Sequence, residues 1–164
     1  MQKGFATLEI ILSTLIIVLL MTVAIPNAVR VVDTVKLDYE TKRLYTQLKF
    51  LQSFDRMTGM TDSHFYTDDK KGVVSLEIID NRYYVLKKRS YPEKIYEQHS
   101  LPSGFSFRQN ANVELRYIKF DDMGKPRSAI DTALNGHIRI ISRFDKFYIY
   151  FNTVGRISGS RTER

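Results

Sequence analysis

The chain has 164 residues, no cysteine and a formal net charge of +7. The missing cysteines exclude a disulfide framework, so a folded domain must be held by aliphatic and aromatic packing, for which 10 Tyr and 10 Phe are available. The length excludes a second sizeable core beside a membrane segment.

Met1 to Gly4 reads as a short leader carrying one charge, Lys3. From Ile10 to Val29 no residue is charged. At about 1.5 Å per residue this run spans roughly 30 Å, the thickness of a hydrocarbon core, so residues 5–29 are expected to form one transmembrane helix. Pro26 removes a helical hydrogen bond and should bend the span near its end. Glu9 stands at the opposite edge. A carboxylate there costs several kcal/mol unless it is paired or reaches water, so a partner is expected. A cut after Gly4 would place a new α-amine on Phe5, one turn before Glu9 and within reach of a neighbouring copy's Glu9.

Beyond Arg30 the pattern turns amphipathic. Leu37, Leu44, Tyr45, Leu48, Leu51 and Phe54 recur at helical spacing among Lys36, Asp38, Glu40, Lys42, Arg43 and Lys49. This predicts a helix over 30–57, ending near Gly59, with its apolar stripe on a sheet of the same chain. A coiled-coil seam fits less well, because Thr41 and Asp55 fall in it.

Residues 58–164 read as an antiparallel β domain. Strands are expected at Ser63–Thr67, Val73–Ile79, Arg82–Lys88, Phe105–Arg108, Val113–Phe120, His137–Ser142 and Lys146–Asn152, with a short one at Arg156–Ser158. Turn-rich connections such as Asp80-Asn81 and Asp121–Pro126 separate them. Arg89–Ser103, with Pro92 and Pro102, is expected to be a loop between two sheets. Ser158-Gly159-Ser160 suggests a flexible basic tail from about residue 156. The predicted class is therefore α+β: a long N-terminal helix packed on a C-terminal antiparallel β domain of two small sheets.

Gly4 before Phe5, Glu9 as the fifth residue after it, and Ile25-Pro26 within the apolar run resemble the prepilin signature of type IV pilins and pseudopilins. Tyr117–Phe120, the turn at Gly124, the strands at His137–Ser142 and Phe147–Phe151, and Thr153-Val154-Gly155-Arg156-Ile157 resemble the closing pattern of GspH/FimT-type minor pilins and pseudopilins. The resemblance implies cleavage between Gly4 and Phe5 by a prepilin peptidase, N-methylation of Phe5, and Glu9 as the filament register residue. It also implies a single-pass protein with a cytoplasmic N-terminus and an extracytoplasmic β domain, a partner of other pilins. The expected role is a structural subunit or assembly primer of a type IV-like pilus or pseudopilus, serving DNA uptake or type II secretion.

Removing residues 1–29 takes away Lys3 and Glu9 and leaves 24 basic and 17 acidic residues, so the whole excess charge lies on the soluble part. Such an excess favours polyanions or acidic surfaces as neighbours. Arg156, Arg161 and Arg164 in the tail, and Lys87-Lys88-Arg89, are candidate contacts to duplex DNA. Some FimT-type proteins use a Gly-Arg-x-Arg tail for DNA. Here Ser158 stands in place of the second Arg, and Arg161 is the substitute. A DNA-binding receptor subunit is thus the alternative function. His64, His99 and His137 are scattered, Asp68-Asp69 and Asp121-Asp122 lack the ligand alternation of a calcium loop, and no nucleophile–base pair or nucleotide loop stands out. Neither an enzyme nor a cofactor or metal is expected.

Overall fold

The computed structural model describes residues 2–58, 74–88, 94–109, 117–128 and 132–162. One helix, α1, runs unbroken from Gln2 to Thr58, 57 residues, through Pro26. At about 1.5 Å per residue it is roughly 85 Å long. Residues 7–29 are exposed, and the second half carries the β domain.

The strands in order are β1 (Val74–Asp80), β2 (Tyr83–Lys88), β3 (Lys94–Ser100), β4 (Ser106–Gln109), β5 (Tyr117–Phe120), β6 (Pro126–Arg127), β7 (Gly136–Ile141), β8 (Lys146–Phe151) and β9 (Ile157–Ser160). They form a five-stranded sheet, β3-β2-β1-β5-β6, and a four-stranded sheet, β4-β7-β8-β9. Among the described residues all pairings are antiparallel. The fold is α+β, as the alternation and the long periodic helix predict.

Period-two alternation decides which side chains face α1. Leu76 and Ile78 of β1, Tyr84 and Leu86 of β2, Ile118 of β5, Ile138 and Ile140 of β7, and Ile149 and Phe151 of β8 join Leu37, Leu44, Leu48 and Leu51 of α1 in one buried core. The four leucines are fully buried. At about 2 kcal/mol for each buried side chain, they are the main attachment of the helix. Thr41 and Asp55 fall on the same stripe and are buried too. Thr41 Oγ1 donates to Leu37 O at 2.7 Å, and Asp55 Oδ2 accepts from the Phe120 backbone N at 3.2 Å. Polar groups in this seam are served by the helix itself and by a strand end.

Three expectations need correction. Residues 94–100 are strand β3, not part of a loop. The inward positions of β3, Glu97 and His99, are polar because α1 opposes them with Glu40, Arg43 and Gln47, while Ile95 and Tyr96 point to solvent. The usual hydrophobic pattern is inverted there. Residues 157–160 are not a flexible tail: the short strand expected at Arg156–Ser158 extends to Ser160 as the last strand of the second sheet, paired along β8. Gly159 serves close packing, since a Cβ there would stand 2.7 Å from the Phe147 ring. The turn predicted at Asp121–Pro126 also closes earlier, because Pro126-Arg127 pair with β5. The expected strand Ser63–Thr67 lies outside the described residues.

Candidate functional site

The apolar half of α1 is one element of the site. The large apolar side chains from Leu8 to Val29 are all exposed, and none of this span is covered by the other described residues. The helix is long and apolar enough to cross a membrane. Two of its hydroxyls are satisfied internally, with Thr14 Oγ1 donating to Ile11 O at 2.9 Å and Thr22 Oγ1 to Leu19 O at 2.7 Å. That is what an apolar solvent demands of a serine or threonine. Gly4 and Phe5 lie in the first turns of α1, Pro26 lies near the end of the span, and Glu9 is exposed on the helix surface.

A second element is the back of the soluble half. Val32, Val35, Tyr39, Phe50 and Met57 are exposed. At 100° per residue, these five positions fall within about 60° of one another and nearly opposite Leu37, Leu44, Leu48 and Leu51. Beyond the membrane-length run the helix thus has two faces that carry large apolar side chains, the second with Thr46 and Ser53 in the same arc. One is covered by the sheets and the other continues the exposed span.

Polar side chains fix how the domain hangs on the helix. Gln52 Nε2 donates to Gly124 O at 2.7 Å and Gly155 O at 2.6 Å, and Arg56 donates to Met123 O at 3.0 Å. One buried amide therefore ties the β5–β6 and β8–β9 turns to α1. On the opposite flank Arg43 Nη2 donates to Glu97 Oε1 at 2.7 Å, Gln47 donates to Glu97 Oε2, and His99 Nε2 donates to Glu40 Oε2 at 2.6 Å. The Glu97 hydrogen bond raises the Arg43 pKa, so the guanidinium stays charged. Burial pushes the neighbouring Tyr84 hydroxyl up to about 12.

Among the described residues, the basic residues singled out from sequence lie on different elements. Lys87 Nζ stands 2.9 Å from Glu77 Oε2. Arg161 Nη2 donates to Asp38 at 2.6 Å, and its Nη1 is 3.5 Å from Asp145, with the Asp38 hydrogen bond raising its pKa. Arg156 is exposed in the β8–β9 turn, at the other end of β9, about 16 Å from Arg161 by strand rise. Lys88 ends β2, while Arg89 and Arg164 lie outside the described residues. Two further arginines escaped the sequence reading. Arg108 of β4 and Arg139 of β7 are direct cross-strand partners on the outward face, although like charges repel there. The shielded Arg139 Nε has no hydrogen-bond acceptor, and its guanidinium carbon is 5.9 Å from the Tyr148 ring centroid. The signal was available in the alternation Phe107-Arg108 and Ile138-Arg139-Ile140, once the inner face was known.

Comparison with protein-family models, with curated proteins and with solved structures gave no match. The functional reading therefore rests on this geometry.

The arrangement is suited to holding and packing. It offers a membrane-length helix, a second exposed stripe of large apolar side chains, and a β domain tied to the helix through Gln52, Arg43 and Arg161.

Proposed function

We propose that this chain is a structural subunit of a type IV-like filament, a minor pilin or pseudopilin, stored in the membrane through α1 and assembled through the back of that helix. The observation that carries the reading is the exposed stripe Val32, Val35, Tyr39, Phe50 and Met57. A plain anchor needs apolar surface only as far as the bilayer reaches. A helix that packs against copies of related helices outside the bilayer needs it further, and this one has it. The prepilin-like Gly4-Phe5 and Glu9 belong to the same reading. A peptidase removes residues 1–4, Phe5 becomes the methylated N-terminus, and Glu9 pairs with a neighbour's amine. The N-terminus is then cytoplasmic, the β domain extracytoplasmic, and the role one of assembly, with no catalysis.

The chain has no cysteine, so Tyr39→Cys or Phe50→Cys creates a single reporter. In cells that make the filament, these thiols should cross-link to a neighbouring pilin helix. A Cys at the outward Lys146 of β8 should not. Equal yields from all three would sink the proposal.

A second reading, a receptor for duplex DNA, is supported by the Arg108–Arg139 juxtaposition and by the basic excess of the soluble part. Phosphate contacts of this kind are weak, sequence-independent and salt-sensitive. Affinity that is unchanged in Arg108→Ala/Arg139→Ala and in Arg156→Ala/Arg161→Ala removes this reading.

A further inference from the structure

The charge-free run ends at Arg30, and the β domain reaches back to that level. Arg30 lies seven and fourteen residues before Leu37 and Leu44, hence on the sheet-facing side of α1. Its guanidinium carbon is 5.5 Å from the centroid of the Phe144 ring. Phe144 is 46% exposed, and Arg143 beside it is also exposed. They form the tip of the β7–β8 turn. Ser142 closes that turn: its backbone N donates to Asp145 O at 2.9 Å, and its Oγ accepts from Asp145 N at 3.1 Å. The tip residues are thereby held outward.

We propose that this turn is a membrane foot, docking Arg143 and Phe144, with Arg30, on the anionic phospholipid headgroups of the bilayer that α1 spans. The inference rests on the membrane-spanning reading of α1. If residues 10–29 fill the hydrocarbon, Arg30 sits at its boundary, and a ring in contact with Arg30 sits at headgroup depth. An aromatic ring beside arginines is the composition that such a layer favours. Charge agrees. Arg161 is set against Asp38 and Asp145, and with Arg30, Lys36, Arg143 and Lys146 it outweighs those two and Asp33 by five charges to three at this end. At the other end of the domain, Met123 is bonded to Arg56, twenty-six helical residues further on and about 39 Å away. Docking would hold the β domain upright on the membrane before the helix leaves it.

The chain has no tryptophan, so Phe144→Trp, Met123→Trp and Leu20→Trp each give one fluorophore. The full chain is placed in nanodiscs of about 3:1 phosphatidylcholine to phosphatidylglycerol with brominated acyl chains. Leu20→Trp should be strongly quenched, Phe144→Trp clearly quenched, and Met123→Trp unquenched. Adding Arg143→Gln should lower the docked-to-free ratio about fivefold, the effect of one arginine near an anionic surface. Quenching of Phe144→Trp no greater than of Met123→Trp, while Leu20→Trp is quenched, overturns the foot and leaves the span intact. An unquenched Leu20→Trp overturns the span and the foot together. Equal quenching of Phe144→Trp in phosphatidylcholine alone overturns the assignment to anionic headgroups. Phe144→Cys carrying an environment-sensitive label gives the same readout should the tryptophan disturb the turn.

Discussion

Gln52 offers a quantitative test of how the domain is fastened to the helix. Its side chain is 6% exposed and its amide donates to two carbonyls, Gly124 O and Gly155 O, in turns that follow different strand pairs. Gly124 and Gly155 are themselves buried, so water does not readily replace the amide. Gln52→Ala leaves two acceptors short of a donor at about 1 kcal/mol or more each, and removes a buried methylene worth about 0.8 kcal/mol. The expected loss is about 3 kcal/mol. For a domain of this size that corresponds to a fall in Tm of roughly 10 °C. Near-UV circular dichroism of the full chain in detergent is the suitable assay, because it follows Tyr and Phe packing in the β domain and is blind to the micelle-bound helix. Gln52→Glu adds a sign. An ionised carboxylate would face two carbonyl oxygens, so its folded-state pKa must rise above the unfolded value. The variant should therefore lie closest to wild type at pH 4, where the acid is protonated and donates to one carbonyl, and fall behind as pH rises through the folded pKa. A Tm for Gln52→Ala within about 2 °C of wild type would refute the bridging role.

Four further outcomes are expected. Gly155→Ala should cost well over 1 kcal/mol, because φ is +91° and its Cβ would stand 2.5 Å from Gly124 O, whereas Gly104→Ala, with φ +88° and open space, should cost only about 1 kcal/mol; paired melts decide this. The raised Tyr84 pKa contributes stability that is complete below pH 10 and lost as pH climbs through about 12, so Tyr84→Phe should flatten the alkaline decline in Tm. Gly4→Val should block removal of Met1–Gly4 by a co-expressed prepilin peptidase, and a wild-type N-terminus still at Met1 by mass spectrometry would end the processing idea. Glu9→Ala should leave insertion and cleavage intact yet deplete the protein from sheared filaments, because a charge pair in low dielectric is lost; wild-type recovery would exclude Glu9 as the register residue.

Local physics made much of the molecule legible in advance. A charge-free run of membrane length, a 3.6-residue stripe from Leu37 to Leu51, and alternating segments around Leu76, Leu86, Ile138 and Ile149 each carry their own period, and each forms the element that its period dictates. Tertiary structure alone decided the rest. Strand β3 pairs along β2, and its polar inward positions Glu97 and His99 are met by Arg43, Gln47 and Glu40, fifty or more residues earlier in sequence. The Ser158-Gly159-Ser160 segment is a strand because it pairs along β8, with Phe147 leaving no room for a side chain at Gly159. Arg161 is engaged because Asp38 and Asp145 meet it in space. Tyr39 and Phe50 became an exposed stripe only once the sheets had chosen the opposite face of α1. Periodicity is written in neighbouring residues, whereas the partner of a polar group, or the face that stays bare, depends on distant segments brought together by folding.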